Sequence, residues 1–253
     1  MQLGIAGRVA LVTGASKGIG FAVARGLAAE GVRVAMSARN EDTLASAVEA
    51  IRLAGGEAYG EPADVARPEQ IEALFDRVRR RQGDPEILVV NAGGPPPGVP
   101  SALGEADWAY GYELTLMSAV RLARAALPAM RERHWGRIIN ITSLSVKEPL
   151  LTLTLSSAYR AAVTGFSKTL AKEVAADGVT VNGVGPGYTA TERLDELFAD
   201  EEARETLLET IPAQRFGTPD EVAAVVVFLA SQQAAYITGQ TVFPDGGVMG
   251  AVH

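Results

Sequence analysis

The 253-residue chain contains no cysteine and only two histidines, His134 and His253. Disulfides and thiolate metal sites are therefore excluded, and two imidazoles are fewer than a zinc site usually needs, so we expect no bound metal. The chain also lacks an apolar run of roughly 18 residues, the length that spans a bilayer. Its first seven residues lack the charged and apolar segments of a signal peptide. These absences predict a soluble, cytoplasmic protein without a membrane partner.

Positive charge is also in short supply, because 23 lysines and arginines face 30 acidic residues and leave a net charge of -7. Attraction to nucleic acid or to an anionic membrane requires clustered positive charge, so we expect neither as a partner. A phosphate-bearing ligand would need local basic residues. The densest basic cluster comprises Arg77, Arg79, Arg80 and Arg81. We interpret it as a solvated helix end favoured by the helix dipole, with a partner site as the alternative.

Strand-like stretches rich in β-branched residues alternate with helical patterns along the whole chain, which is typical of βαβ units around a parallel sheet. The strand patterns cover residues 8–13, 33–37, 57–62, 87–91, 137–142, 179–184 and 240–243. The helical patterns cover residues 18–30, 41–54, 68–81, 106–130, 156–175 and 219–231. This alternation predicts an α/β fold with a doubly wound, seven-stranded parallel sheet flanked by helices. The length fits one domain over residues 1–253, with a substrate lid at about 188–217.

A glycine-rich turn follows the first predicted strand and reads Thr-Gly-Ala-Ser-Lys-Gly-Ile-Gly over residues 13–20. Glycines there let the backbone turn tightly and approach a pyrophosphate, whose charge the free N–H groups of the next helix stabilise. Glycine is also common in ordinary βα turns. The position between an apolar strand and a helix nevertheless favours a nucleotide site.

At this point the chain resembles the short-chain dehydrogenase/reductase family, whose glycine signature is Thr-Gly-x-x-x-Gly-x-Gly. The Asn-Ala-Gly element at 91–93, the Asp-Val pair at 64–65, and the stretches 182–191 and 239–247 are similar to further family motifs and occur in the same order. The resemblance implies a single Rossmann-type domain and is closest to the β-ketoacyl carrier-protein reductase branch. It implies that the cofactor contacts Gly14, Ser16, Lys17, Gly18, Ile19, Gly20, Asp64, Val65, Asn91, Ala92, Gly93, Pro186, Gly187, Thr189 and Thr191.

Charge at the end of the second strand bears on which dinucleotide binds. Sites for NAD commonly place a carboxylate there, and it repels the 2'-phosphate of NADP. The corresponding residue here is Ala38, and Arg39 follows it. With Lys17 in the glycine turn, two cations and the hydroxyl of Ser37 could converge on a 2'-phosphate. We predict NADP. In the alternative, NAD binds and an acidic residue early in the second helix reaches the ribose.

Three of the family's four usual catalytic positions are altered in this sequence. The resemblance assigns Ser143 as the serine that binds the substrate oxygen. Counting from two anchors places Ser156 at the usual tyrosine and Arg160 at the usual lysine, and counting from Trp108 places Thr115 at the usual asparagine. No Tyr-x-x-x-Lys sequence occurs anywhere in the chain.

The substitutions change the available acid chemistry, because a serine hydroxyl is far less acidic than a tyrosine hydroxyl with its pKa near ~10. Arginine stays protonated at neutral pH and relays protons poorly, so we interpret Arg160 as a residue that binds the nicotinamide ribose. Tyr159 lies three residues beyond Ser156. It either leans toward the site as a displaced acid or, as we favour, packs against a neighbouring helix or subunit.

The substrate region is expected in two segments. The proline-rich stretch 94–100 is either a stiff cleft wall or a plain spacer. Apolar residues of the predicted lid recur at helical spacing, which suits an acyl, aromatic or alicyclic carbonyl compound. This small molecule is either free or linked to an acidic carrier protein, which basic residues would contact: Lys172, Arg133 and His134.

The helix that carries Ser156 has an apolar face with small side chains that permits close packing across a twofold axis. This face comprises Ala158, Ala161, Ala162, Phe166 and Leu170. The family resemblance implies a homotetramer.

Two functions of different classes remain open. The first is an NADPH-dependent carbonyl reductase whose proton donor is altered and could be Ser143, Tyr159 or an ordered water. The second is a protein that binds the cofactor without turnover and serves as a regulatory or structural subunit.

Overall fold

A computed structural model describes residues 2–198 and 200–250 of the chain. These ranges contain one sheet of seven parallel strands, in the order β3-β2-β1-β4-β5-β6-β7. The strands are β1 (Val9–Thr13), β2 (Arg33–Ser37), β3 (Ala58–Gly60), β4 (Ile87–Val90), β5 (Gly136–Ile141), β6 (Val179–Val184) and β7 (Thr241–Val242). The prediction of a seven-stranded parallel sheet is confirmed.

Helices connect the strands on both faces of the sheet. They are α1 (Gly18–Ala29), α2 (Glu41–Leu53), α3 (Pro68–Gln82), α4 (Glu105–Gly111), α5 (Ser118–Glu132), α6 (Thr154–Val174), α7 (Glu192–Leu197), α8 (Glu201–Glu209) and α9 (Pro219–Leu229). A π-helical segment, Tyr112–Met117, joins α4 to α5. The sequence pattern had predicted an uninterrupted helix there. Within the described ranges, no helix combines the length and apolarity required to cross a membrane.

Side-chain caps mark the starts of α2 and α9, which agree with the starts of the predicted ranges 41–54 and 219–231. Before α2, the side chain of Asn40 accepts a hydrogen bond of 2.8 Å from the backbone N–H of Thr43. Before α9, Thr218 and Glu221 form a capping box, with Pro219 at the first helical position. Such residues satisfy the backbone donors that the first helical turn leaves free.

The core consists of two apolar layers, one on each face of the sheet. Successive residues of β1 alternate between them, because Ala10 and Val12 pack in one layer and Leu11 packs in the other. The first layer includes side chains from α1, α2 and α9, and the second includes side chains from α3, α5 and α6. The sheet is therefore covered on both faces, as a doubly wound fold requires.

The chain reverses its direction of winding at β1, which pairs with β2 on one side and with β4 on the other. Parallel α/β sheets bind ligands in the crevice at the carboxyl ends of the strands flanking such a switch point. Here the glycine turn 13–20 follows β1, and Asn91 follows β4. The topology places these two segments on either side of one crevice.

We predict that Gly20→Ala destabilises the protein by about 2 kcal/mol or more, because an added Cβ creates an overpacked contact. That Cβ would lie 2.1 Å from the carbonyl oxygen of Gly14 and 2.7 Å from the side-chain nitrogen of Asn91. The matched control is Gly26→Ala in the same helix, whose Cβ would meet only the Val227 Cγ2 methyl at 3.0 Å. Gly26→Ala should change the free energy of unfolding by less than about 1 kcal/mol. Urea denaturation measures both, and equal stabilities would contradict the packing argument.

Candidate functional site

The glycine turn is tied to the end of β4 by hydrogen bonds. The hydroxyl of Thr13 donates to the carbonyl oxygen of Asn91 at 2.9 Å, and the side-chain amide of Asn91 donates to the carbonyl oxygen of Gly14 at 3.0 Å. Gly14 and Gly18 have φ angles of +57° and +56°, which favour glycine. The predicted residues Gly14 and Asn91 are therefore joined by a hydrogen bond at the crevice.

The amino terminus of α1 opens into this crevice. Its N-cap residue is Lys17, and in the described part of the chain no side chain caps the helix and no acidic residue lies in its first turn. Ser16, Gly18 and Ile19 are half-buried around it. The free N–H groups and the positive end of the helix dipole make this turn suitable for a pyrophosphate.

The three residues expected to bind a 2'-phosphate have different surroundings in the structure. Arg39 is exposed, and its guanidinium donates to the hydroxyl of Tyr110 at 3.4 Å. The Lys17 ammonium forms an ion pair with Glu192 in α7. Ser37 is fully buried at 0% exposure. Its hydroxyl oxygen has no hydrogen-bond partner among the described residues, and its contact with a 2'-phosphate stays a prediction.

The segment 182–191 returns to the glycine turn, as the order of motifs suggested. A Cβ on Gly18 would lie 3.5 Å from the methyl group of Thr191, whose hydroxyl caps α7 by accepting from the Leu194 N–H at 3.3 Å. Thr189 is buried, and its hydroxyl donates to the carbonyl oxygen of Gly187 at 3.1 Å. Thr191 thus lies beside the glycine turn.

The Asp64-Val65 pair lies after β3. Asp64 is half-buried, and its carboxylate accepts from the Ala66 N–H at 3.0 Å, whereas Val65 is buried. The Asp64 carboxylate therefore shapes its own turn, and its contact with an adenine stays a prediction.

Arg160 lies inside the protein with only 8% of its surface exposed. Its guanidinium donates to the carbonyl oxygen of Ile141 at 2.6 Å, to that of Ala92 at 3.4 Å and to the hydroxyl of Ser156 at 3.1 Å. None of the described carboxylates lies within 4.0 Å of it. Burial, helped by the nearby charge of Arg193, lowers the pKa of Arg160 to about 10, so it stays a cation at neutral pH.

Ser143 lies two residues after Ile141, the last residue of β5, whose carbonyl oxygen accepts from Arg160. It is half-buried, and its hydroxyl oxygen accepts from the Ser145 N–H at 3.1 Å. The next residue, Leu144, donates its N–H to the carbonyl oxygen of Pro186 at 3.0 Å. The structure therefore brings Ser143 and the Pro186-Gly187 turn together, near the Ile141 carbonyl that Arg160 holds.

Tyr159 points toward α4. Its hydroxyl donates to the carbonyl oxygen of Trp108 at 2.9 Å, and its ring meets the rings of Trp108 and Tyr112 edge to face. Burial, with a smaller contribution from Tyr112, raises the pKa of the Tyr159 hydroxyl. These contacts correspond to the packing interpretation of Tyr159.

A cavity of about 10 Å3 lies beside Arg160 and is also lined by Thr115 and Asn140. The Thr115 hydroxyl oxygen and the Asn140 side-chain oxygen are buried there without a hydrogen-bond partner among the described residues. The volume is close to the minimum that holds one water molecule. Sequence reasoning had not named Asn140, although a polar residue within the apolar strand β5 is an unusual signal.

The proline-rich stretch is fixed to the start of α6. The N–H of Gly98 donates to the carbonyl oxygen of Thr152 at 2.7 Å, and the Thr154 hydroxyl donates to the carbonyl oxygen of Gly98 at 2.8 Å. Of the two interpretations of this stretch, a stiff wall beside α6 fits these bonds.

Arg193 is a second residue that the sequence did not single out. It extends from α7 and donates to the carbonyl oxygen of Pro95 at 3.2 Å, while its other terminal nitrogen lies 3.2 Å from the carboxylate of Glu196. Arg193 therefore links the predicted lid to the proline-rich wall. Only the tertiary structure could reveal this contact, because the two residues are 98 positions apart.

The face of α6 divides differently from the sequence prediction. Ala158, Ala161 and Ala162 are exposed, whereas Leu170 is buried in the core and Phe166 packs partly against it. Leu170 is thus corrected from the packing surface to the core, because its position on the helix faces the sheet.

Comparisons with known proteins cover nearly the whole chain. Residues 14–249 match a family model described as enoyl-(acyl carrier protein) reductase. The 3-oxoacyl-(acyl-carrier-protein) reductase of Vibrio cholerae is 40% identical over 246 residues, 97% of this chain and 99% of that protein. The structure of L-sorbose reductase from Gluconobacter frateurii, solved with NADPH and L-sorbose, has a TM-score of 0.93 at 36% identity and 100% coverage of both chains.

Actinorhodin polyketide ketoreductase, solved as a variant with NADPH, has a TM-score of 0.93 at 37% identity and covers 99% of both chains. With the glycine turn, the switch point and the order of motifs, these matches show that the chain belongs to the short-chain dehydrogenase/reductase family of oxidoreductases.

Proposed function

We propose that this protein is an NADP(H)-dependent oxidoreductase that reduces the carbonyl group of an apolar ketone or a 3-oxoacyl thioester, with an atypical catalytic site. The observation that carries the proposal is the buried Arg160 cation, which donates to the hydroxyl of Ser156 at the edge of the crevice. A positive charge held beside a polarised hydroxyl suits an oxygen that becomes negative during reduction.

The crevice fits the dinucleotide. The uncapped start of α1 suits the pyrophosphate, and the close approach of Gly20 to Gly14 leaves room for nothing larger than glycine. Ala38 cannot repel a 2'-phosphate, and no described carboxylate lies within 4.0 Å of Arg39. Two similar structures contain NADPH. When bound, the reduced cofactor supplies the hydride.

The chain's own residues would act on the substrate oxygen. Ser143 and Ser156 donate hydrogen bonds to it, and the Arg160 Nε–H polarises the Ser156 hydroxyl through their 3.1 Å hydrogen bond. Neither serine is acidic enough to be an efficient proton source, so a water delivers the final proton. Tyr159 is a poor donor in this arrangement because its hydroxyl already donates to Trp108.

The second candidate function is cofactor binding without turnover. It is favoured by the bonds from Arg160 to the carbonyl oxygens of Ile141 and Ala92, because these join α6 to the ends of β5 and β4 whether or not a substrate is present. The first proposal, the oxidoreductase, includes two further expectations. The protein forms a homotetramer that packs through the exposed alanines of α6, and a carrier protein that delivers the substrate contacts Lys172.

The cofactor assignment predicts tighter binding of NADPH than of NADH, and Arg39→Ala should remove most of the difference. Glu192→Gln frees the Lys17 ammonium and should strengthen NADPH binding by no more than about fivefold, because exposed ion pairs are weak. Glu196→Gln, in the same helix, is the control and should have no such effect. Isothermal titration calorimetry measures these affinities. Equal affinity of the unaltered protein for both nucleotides would contradict the assignment.

The altered site predicts slow turnover of small ketones and acetoacetyl thioesters, about 10² to 10⁴-fold below an efficient enzyme, because a positioned general acid is missing. Ser156→Ala should lower this rate further, whereas Tyr159→Phe should leave it unchanged. NADPH oxidation followed by absorbance gives the rates. A loss of activity in Tyr159→Phe with normal folding would mean that Tyr159 is the acid after all.

The double variant Ser156→Tyr with Arg160→Lys should reduce an activated ketone faster than the unaltered protein. It restores an acidic hydroxyl beside a lysine that lowers its pKa. Ser156→Tyr alone should gain less, since Arg160 offers charge without proton relay. Thr115→Asn is a third change that could complete the relay. A folded double variant that binds NADPH and gains no activity at any pH would show that the missing pair does not limit turnover.

A further inference from the structure

A groove of about 470 Å3 lies far from the crevice, at the amino ends of β2 and β3. Arg33 is the first residue of β2, whereas Arg39 follows its last residue, so the two arginines are at opposite ends of the strand. We call this feature the arginine groove. Its walls include Arg33, Arg52, Glu57, Tyr59, Arg81 and Gln82.

Three guanidinium groups face the arginine groove in a chain whose net charge is -7. Arg33 and Arg52 are each anchored through Nε, which donates to the carbonyl oxygen of Gly7 at 3.2 Å and of Ala58 at 2.8 Å, respectively. Among the described residues, neither has a carboxylate within 4.0 Å. Both side chains therefore keep their terminal nitrogens for another acceptor.

The buried hydroxyl of Tyr59 points to a ligand independently of the arginines. Tyr59 is only 2% exposed, yet its hydroxyl has no hydrogen-bond partner in residues 2–198 and 200–250. The guanidinium of Arg81 lies over its ring, 4.3 Å from the centroid. Burial and the charge of Glu61 raise the pKa of Tyr59 to about 12, so the phenol keeps its proton and is a donor at neutral pH. A buried donor of this kind calls for an acceptor.

Gln82 adds an unpaired acceptor to the same groove. Its side-chain nitrogen lies 3.4 Å from the carboxylate of Glu57, and its side-chain oxygen is buried without a partner within the described ranges. The arginine groove therefore offers several donors, with the acceptors of Gln82 and Glu57 together on one side. A ligand with anionic oxygens and at least one hydroxyl group matches this set.

We propose that the arginine groove binds a hydroxylated phosphate monoester. Guanidinium forks pair well with phosphate oxygens, and the groove volume lies in the range typical of small-molecule sites. The phosphate accepts from Arg33, Arg52 and the Tyr59 hydroxyl, and a ligand hydroxyl donates to Gln82. Glu57 is the one carboxylate among the residues that line the groove. Its contact with the Gln82 side-chain amide holds it beside Gln82, where the ligand hydroxyl would bind.

The helix dipole explains part of this arrangement but not all of it. Arg52 and Arg81 lie in the last turns of α2 and α3, where cations are favoured. Arg33 begins a strand and has no such reason to be there. The dipole also does not account for the buried hydroxyl of Tyr59.

Titration calorimetry with glycerol 3-phosphate and nucleotide-free protein tests the proposal. We expect saturable binding that weakens with added KCl. Arg52→Met should weaken it about tenfold, because a hydrogen bond between two charged groups is lost. Arg80→Met removes the same charge from an exposed neighbour outside the groove and should have little effect. Arg39→Ala should also leave glycerol 3-phosphate binding unchanged. This result would show that the ligand binds in the arginine groove and not in the crevice.

Tyr59→Phe keeps the ring packing and removes only the hydroxyl, so it tests the site even if the arginine variants fold poorly. It should weaken glycerol 3-phosphate binding about fivefold. Unchanged binding in Tyr59→Phe, equal losses in Arg80→Met and Arg52→Met, or no saturable binding would overturn the proposal. Inorganic phosphate should bind more weakly than glycerol 3-phosphate, and equal affinities would overturn the assignment of a hydroxylated ester.

Discussion

The guanidinium of Arg160 lies between α6 and the carboxyl ends of β4 and β5, and all of its hydrogen-bond acceptors among the described residues are neutral oxygens. Burial lowers its pKa to about 10, below the value in an unfolded chain, so the buried charge opposes folding at every pH below about 10. Its bonds to Ile141, Ala92 and Ser156 offset this cost. The position of Ser156, the neighbouring cavity and the electrostatics of the crevice all depend on this one group.

A second set of contacts connects α7 to both sides of the crevice. Glu192 pairs with Lys17 of the glycine turn, and Arg193 reaches the carbonyl oxygen of Pro95 on the proline-rich wall. Both links are made by partly exposed side chains, whose ion pairs and hydrogen bonds contribute little stability. These two contacts alone therefore hold α7 only weakly, whereas its buried Leu194 packs it against the rest of the protein; movement of α7 as a lid stays a prediction.

The fold could be predicted because its signals are local. Each strand is a short apolar run, and helices such as α2 and α9 begin at capping residues next to the predicted boundary. The exception is the π-helical segment Tyr112–Met117. A segment this short has the same apolar periodicity as an ordinary helix. Its wider hydrogen-bond spacing therefore cannot be recognised from the sequence.

The sequence by itself determined the glycine turn, the order of motifs and the absence of a Tyr-x-x-x-Lys pair, because these depend on residue identity and spacing along the chain. The tertiary structure alone decided where the side chains point. It buried Ser37, turned Tyr159 toward Trp108, and paired Lys17 with Glu192 from 175 positions away. Spacing along one helix gives the face on which a residue lies, but the partner it finds there comes from another part of the chain, and only folding brings the two together.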